Sequence, residues 1–312
     1  VTLAKKYCLK QRFASGLVNG VLRNAVRTKG QLKAPVTLED RYSHPKALID
    51  LLRSYVGEDR LEPMLAANNA MPDTVVQVNI LRTTAAELMQ NLSDAGVHAE
   101  PHRWLPDCLV LSGTGNLEKL PAFQQGLFYV QDAAARLSVL CAQLPGEDIQ
   151  VLDCCAAPGG KSFAAAIAMG GKGNITSCDV HAHKVTLIQN GADRLGLTNI
   201  RARQQDATAF CPQWENAMDA VIADVPCSGY GIIRKKPDIR YKDPDTMQQL
   251  PKLQLEILCQ QARYVKPGGI LMYSTCTLVR RENEGVVEKF LKQNPEFYLE
   301  KLNLPDIFPE NE

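Results

Sequence analysis

The sequence predicts an α/β protein: a doubly wound parallel sheet, preceded by a small α+β unit and by the end of a helical segment. Two observations carry this reading. From about residue 126 short apolar strands alternate with helical patterns, the rhythm of a parallel sheet covered on both faces. Each chemically suggestive motif also falls at the carboxyl end of one of those strands, where open α/β sheets bind ligands. The chain has 312 residues, 45% of them hydrophobic, enough to bury cores for about two domains.

Residues 13–27 place Leu17, Val18, Val21 and Leu22 at helical spacing with bases opposite, giving an amphipathic helix without an evident partner. Its stripe either docks on the downstream part of the chain or belongs to a helical domain upstream. Residues 36–125 read as a small α+β unit: helical patterns at 45–55 and 58–68, a strand Val75–Asn79, a helix near 84–95 and a strand Cys108–Leu111. His44, His98 and His102 have no partners in sequence and read as surface or packing residues. The sheet strands are Ile149–Asp153, Asn174–Cys178, Asn199–Arg203, Asp219–Ala223 and Gly269–Ser274, with helices from Ser162, at 181–195 and across about 246–265.

The net charge of +1 conceals an uneven distribution. Residues 1–35 hold Lys5, Lys6, Lys10, Arg12, Arg23, Arg27, Lys29 and Lys33 and no acid, whereas Arg281–Glu312 sets four bases against eight acids. The basic end suits a phosphate backbone and equally suits a solvated helix face. No run of ~18 apolar residues could span a bilayer and no signal peptide opens the chain, so a cytoplasmic setting is expected. The ten cysteines then read as reduced thiols. No Cys-x-x-Cys occurs and no metal is expected.

The first strand of the parallel sheet runs into Cys155-Ala156-Ala157-Pro158-Gly159-Gly160-Lys161. Neither a P-loop nor a dinucleotide fingerprint fits it: Cys155 stands where the P-loop needs its first glycine, and G-x-G-x-x-G is absent. What remains is a small-residue turn opening a helix whose first amides favour a carboxylate. Asp179 and Asp206 stand at the next strand ends and Asp224 at the fourth, so acids recur at successive strand ends. Together they suggest a nucleoside with free hydroxyls and a cationic centre, as in S-adenosylmethionine. A single such Asp taken alone reads as a helix N-cap.

Two further loops carry thiols: Asp224-Val225-Pro226-Cys227-Ser228-Gly229 and Ser274-Thr275-Cys276-Thr277. Neighbouring strand ends bring the two together over the cofactor edge. A buried cysteine is usually a small hydrophobe, the reading given to Cys8, Cys141, Cys178, Cys211 and Cys259. On a loop beyond a strand end, reactivity is the stronger reading.

With these three motifs the chain resembles the NOL1/NOP2/Sun RNA cytosine-C5 methyltransferases, and Arg41–Pro45, Ala67–Asn69, Gly126–Asp132 and Arg234–Ile239 extend the likeness toward the bacterial members acting on 16S rRNA. The resemblance implies a Rossmann-like class I S-adenosylmethionine-dependent methyltransferase domain over 126–312. An RRM-like, RNA-positioning domain over 36–125 and the remnant of a NusB-like helical domain with linker over 1–35 complete the expected order. The absence of an initial Met and the stop at Leu304–Glu312, before the closing strands, read as truncation at both ends.

The resemblance also assigns roles. Cys276 adds to cytosine C6, making C5 nucleophilic enough to take a methyl group, and Cys227 assists release. Asp224 faces N3 and the exocyclic amine. Lys161 either lowers a thiol pKa or steadies the base. Residues 155–161, Asp179, Asp206 and Asp224 hold S-adenosylmethionine, with S-adenosylhomocysteine as product. Arg234, Lys235, Lys236 and Arg240, in a patch that also holds Lys242, are expected on RNA phosphates. The expected partner is 16S rRNA, and the chain is expected to be a monomer with neither membrane nor metal. A tRNA cytosine-C5 methyltransferase, an RNA-binding assembly factor with dispensable catalysis and a dithiol redox protein are the alternative readings.

Overall fold

The computed structural model describes residues 1–8, 11, 13–31, 34–144, 146–242 and 247–302. Lys10, Arg12 and Lys33 of the basic run, and the terminal stretch 304–312, lie outside them. The chain forms two compact units, Val1–Ala66 and Ala67–Glu312.

The first unit is helical: α1 (Thr2–Tyr7), α2 (Ala14–Thr28), α3 (Leu38–Tyr42), α4 (Lys46–Val56) and most of α5 (Glu58–Asn69). Helix α2 forms where the 3.6-residue spacing places it, yet Leu17, Val21 and Leu22 of its stripe remain 61%, 58% and 49% exposed. Helices α4 and α5 bury Leu48, Ile49, Leu52, Leu61 and Leu65. Arg41 reaches Glu62 at 2.6 Å, and Tyr42 donates to the same carboxylate oxygen at 2.8 Å.

The second unit opens with a four-stranded antiparallel sheet of β1 (Thr74–Val78), β2 (His98–Pro101), β3 (Cys108–Ser112) and β4 (Phe128–Val130), ordered β2-β3-β1-β4. Helix α6 (Ala85–Asp94) starts at a capping box in which Thr84 and Glu87 satisfy each other's backbone amides. It packs Leu88 and Leu92 on Val76, Val78, Leu109 and Phe128. Strand β2 escapes the sequence reading because His-Ala-Glu-Pro is a mostly exposed edge without apolar alternation. Strand β4 falls where the strand-helix rhythm was expected to begin, but Val76 pairs with Val130 and Val78 with Phe128 on the antiparallel sheet.

After α7 (Pro121–Gln124) and α8 (Ala133–Cys141), the parallel sheet is built from β5 (Gln150–Asp153), β6 (Asn174–Asp179), β7 (Ile200–Gln204), β8 (Met218–Asp224) and β9 (Val265–Ser274). Their order is β7-β6-β5-β8-β9 and every pairing is parallel. Helices α9 (Gly160–Ala168) and α10 (Ala182–Leu195) cover one face, where Ala164–Ile167, Ile188, Ala192 and Leu195 pack with Val151, Ile175 and Ile222. On the other face α11 (Leu250–Ala262) and α12 (Glu284–Gln293) bring Ile257, Leu258, Val286 and Phe290 against Ala223. The expected double winding is present.

The two sheets are joined by polar ties. Buried Asn79, just after β1, donates from Nδ2 to the carbonyls of Gly126 and Leu195, each at 2.9 Å. Arg194 at the end of α10 donates to Phe123 O at 2.6 Å and lies 3.7 Å from the Phe123 ring centroid. Among the described residues no helix is long and apolar enough to cross a membrane, and no group of three or more His, Cys, Asp or Glu side chains could hold a metal.

Candidate active site

Strand β5 delivers Asp153 to the sheet edge, and the chain then turns through 154–159 into α9. Two backbone bonds fix the turn: Cys154 N–H donates to Ile222 O of β8 at 3.0 Å and Ala156 N–H to Cys178 O of β6 at 2.8 Å. Gly159 is obligatory here, since its φ is +113° and a Cβ would stand 2.4 Å from the Phe163 ring. The free amides of α9 therefore open onto the sheet's carboxyl edge. Cys155 is half-buried, its sulfur 3.9 Å from Cys154 Sγ.

Asp153 is fully buried. Its Oδ2 accepts from Ser162 Oγ at 2.7 Å, and Ser177 Oγ lies 2.7 Å from Ser162 Oγ, while Oδ1 has no partner among the described residues. Burial pushes this carboxyl up to about 7, against the pull of the Ser162 hydrogen bond. The residue closes an apolar strand, so the sequence shows an acid there but not its depth.

Asp179, at the end of β6, accepts from His181 N–H at 3.0 Å and lies 3.6 Å from Lys184 Nζ. Asp206 is exposed and accepts from the backbone and hydroxyl of Thr208 at 2.9 and 2.7 Å. Both acids thus have local turn and helix-start roles. A carboxylate keeps further lone pairs for a ligand.

Asp224 and Ser274 are partners on the last rung between β8 and β9. Asp224 Oδ1 accepts from Ser274 Oγ at 2.8 Å, and Oδ2 meets Lys161 Nζ at 2.7 Å. The turn after β5 and the first cysteine loop therefore share an ion pair, whose lysine side chain is only 14% exposed. From that rung the chain runs on to Cys227 and Cys276, which the structure brings together with sulfurs 3.1 Å apart. Cys276 is exposed and Cys227 half-buried. The loops are pinned to each other: Ser228 Oγ lies 2.6 Å from Thr277 Oγ1, and Gly231 N–H donates to Cys276 O at 2.9 Å. A Cβ on Gly231 would come within 2.9 Å of that same carbonyl oxygen.

The thiols titrate apart. The hydrogen bond from Cys227 draws Cys276 down to about 7, with help from Lys161 and Lys236 and against burial and Asp224. The same hydrogen bond, together with burial, drives Cys227 far above the ordinary thiol range. Of the two sulfurs, the outer one is the more readily ionised.

The basic loop behaves less uniformly. Arg234 donates to Met71 O and lies 3.3 Å from Asp73 Oδ2, Lys235 pairs with Asp132, and Arg240 lies 3.4 Å from Asn68 O. Lys236 is exposed and acts on the charge of Cys276. Sequence reading singled out none of Gln254, Glu282 or Asn283, which lie behind the two cysteine loops.

A five-stranded parallel sheet ordered β7-β6-β5-β8-β9, with its ligand-facing loops at the carboxyl edge, defines the class I, Rossmann-like methyltransferase fold. Here a ferredoxin-like domain precedes it. The chain belongs to the 16S rRNA methyltransferase RsmB/F family, whose description matches residues 141–310; the ferredoxin-like domain of the same methyltransferases matches 44–118. It is 38% identical over 301 residues to a probable ribosomal RNA small subunit methyltransferase B of Bacillus subtilis, covering 96% of this chain and 67% of that protein. A like-named protein of Synechocystis is 36% identical over 308 residues, covering 95% of this chain and 68% of its own. The chain thus spans about two thirds of these relatives' length. A solved methyltransferase homologue from Pyrococcus horikoshii superposes with a TM-score of 0.70 at 27% identity, over 81% of this chain and 80% of that one.

Proposed function

We propose that this chain methylates carbon 5 of a cytosine in small-subunit ribosomal RNA, with Cys276 as nucleophile and Cys227 as the residue that completes turnover. The observation that carries the reading is the pair of sulfurs 3.1 Å apart with opposite proton affinities. A lone reactive thiol could serve many reactions. A thiolate held against a thiol that keeps its proton suits a reaction that must make and then break a carbon–sulfur bond.

The residues present fit S-adenosylmethionine as donor. The first amides of α9 suit its carboxylate, Asp179 its ribose hydroxyls, and the partnerless, buried Oδ1 of Asp153 an ammonium at the turn. When bound, it supplies an electrophilic methyl group.

The chain's own residues do the remaining work. The Cys276 thiolate forms a bond to C6, and the pair of the C5–C6 double bond becomes available at C5, the carbon that takes the methyl. Asp224, steadied by Lys161 and Ser274, faces N3 and the exocyclic amine, where it supports a proton as charge develops on the ring. The C5 proton then leaves to a base at the Cys227 side, its bonding pair restores C5–C6, and the sulfur of Cys276 departs as thiolate. Phosphates beside the target base would replace Asp73 and Asp132 as partners of Arg234 and Lys235, with Lys236 and Arg240 completing the track. A base buried in a duplex must first be flipped out. The ferredoxin-like domain orients the RNA, and the domain built on the parallel sheet carries out the transfer.

The test is transfer of labelled methyl from S-adenosylmethionine to 16S rRNA with 5-methylcytosine as readout. Cys276→Ala should abolish it, and Cys227→Ala should hold RNA on the protein as a covalent adduct visible in a denaturing gel. Undiminished 5-methylcytosine formation by Cys276→Ala would overturn the reading.

A further inference from the structure

Two adjacent residues hold the flanks of the two cysteines. Glu282, fully buried, accepts through Oε2 from the backbone N–H of Ser228 at 2.9 Å and from Nε2 of Gln254 at 3.0 Å. Gln254, equally buried, also donates from Nε2 to Pro226 O at 2.9 Å. Pro226 and Ser228 are the two neighbours of Cys227. Asn283 makes the matching contacts on the other loop: its Oδ1 accepts from Thr275 Oγ1 at 2.6 Å and its Nδ2 donates to Thr277 O at 3.1 Å. Thr275 and Thr277 are the two neighbours of Cys276.

Burying a carboxylate is unfavourable unless its oxygens are hydrogen-bonded. Glu282 is sunk out of solvent with Oε2 gripping one backbone amide and one amide side chain beside Cys227, while its Oε1 has no partner among the described residues. Its own carbonyl is in turn held by Tyr273 OH at 2.6 Å, which anchors the short helical turn Arg280–Glu282 to β9. The flanks of both cysteines are thus held from behind by consecutive residues, one per loop, in addition to the direct Ser228–Thr277 and Gly231–Cys276 contacts between the loops.

We propose that Glu282 and Asn283 are positioning residues that divide the chemical steps. Glu282, through Gln254 and Ser228, aims Cys227 for release of the product; Asn283, through Thr275 and Thr277, aims Cys276 for attack on C6. This rests on the function proposed above. A misplacement of about 1 Å in a reacting group can slow a step on the order of 10²-fold, so loss of either grip should register on one step and spare the other.

The experiment is a single-turnover reaction of the chain with 16S rRNA and methyl-labelled S-adenosylmethionine, following formation and decay of the covalent adduct separately. Asn283→Ala should slow formation roughly tenfold or more with no accumulation of adduct. Glu282→Ala should leave formation near normal and slow decay to a similar degree, so that adduct builds up. Glu282→Gln keeps an oxygen that can accept from both Ser228 and Gln254, and it should restore decay to within about threefold of the parent. Should Glu282→Ala fail to fold, Gln254→Leu carries the same test and should also act on decay. Equal slowing of both steps by Asn283→Ala and Glu282→Ala, or by Gln254→Leu in its place, would overturn the division, as would failure of Glu282→Gln to rescue. Cys227→Ala, run alongside, separates the levels: if it turns over freely without trapping adduct, the functional reading itself fails.

Discussion

The sulfurs of Cys227 and Cys276 stand 3.1 Å apart, and the backbone N–H of Cys276 also points at Cys227 Sγ, at 3.2 Å. Cys227 therefore accepts one hydrogen bond from the loop it faces and shares a second, sulfur to sulfur, with Cys276. Alkylation of Cys276 by iodoacetamide, followed by peptide mass spectrometry, should rise with pH around a midpoint of about 7. In Cys227→Ala the midpoint should climb toward the ordinary thiol value of 9.0. An unmoved midpoint would mean that the partner sulfur does not set the charge.

Lys161 enters the same balance from the turn after β5. Lys161→Met removes a cation that favours the Cys276 thiolate and leaves Asp224, which opposes it, with only its Ser274 hydrogen bond. The alkylation midpoint should move upward, and adduct formation at pH 7 should fall roughly tenfold for each unit of that movement. Lys161→Arg should fall between the two. An alkylation profile indifferent to Lys161→Met would confine the lysine to holding Asp224.

Donor binding should distinguish the two strand-end acids. Asp179 is nearly buried and Asp206 exposed. Hydrogen bonds to a charged acceptor are worth ~1.5–3 kcal/mol each, so Asp179→Ala should weaken S-adenosylmethionine binding by tenfold to roughly a hundredfold in calorimetry. Asp206→Ala should do markedly less. Equal losses would show that burial is no guide to which acid grips the ribose.

Asp153 should leave a mark on stability. Its carboxyl titrates at about 7 in the folded chain against an ordinary 3.8. Below 3.8 the acid is neutral in both states and its contribution is fully present. Between there and about 7 only the unfolded chain ionises, so stability declines as pH rises and levels off above the folded value. Urea unfolding of the cofactor-free chain from pH 4 to 8 should show Asp153→Asn gaining on the parent by on the order of a few kcal/mol as pH rises. Parallel curves would refute the shift.

Asn79 offers a test of the joint between the sheets. Asn79→Ala removes two buried hydrogen bonds and leaves the carbonyls of Gly126 and Leu195 without that donor. A loss of about 1–3 kcal/mol is expected, read as a lower urea midpoint with donor affinity unchanged. A neutral substitution would show that neighbouring contacts such as that of Arg82 with Gln125 O carry the joint alone.

Much of this architecture was legible because its signals are local. The apolar runs of β5, β6, β8 and β9 and the helical spacing of α6 and α10 declare themselves within a few residues. Strand β2 does not, since His98 and Glu100 lie on an exposed edge with no burial to impose alternation. The thiol loops could be placed by counting strand ends, although the choice of Cys276 as nucleophile came from family resemblance. Glu282, Asn283 and Gln254 were silent: Glu282 meets Ser228 from 54 positions away, and Gln254 reaches back 28 to Pro226. No period or motif encodes a contact of that kind. Arg234 and Lys235 read as free cations until the fold sets Asp73 and Asp132 beside them.

The common rung of Asp224 and Ser274 also determines where this chain can be lengthened. Cys227 and Cys276 are 49 positions apart, yet each leaves the sheet from that rung, so the long crossover through α11 does not measure the gap between the sulfurs. Insertions along the solvent side of the crossover would leave the thiols in register, whereas a single residue added at Val225–Pro226 or at Thr275 would shift one sulfur relative to the other. For anyone grafting this site or tagging the protein, sequence distance is therefore no guide to tolerance: Gly231 and Gln254, well inside the crossover, touch the cysteine loops as closely as the residues next to each cysteine.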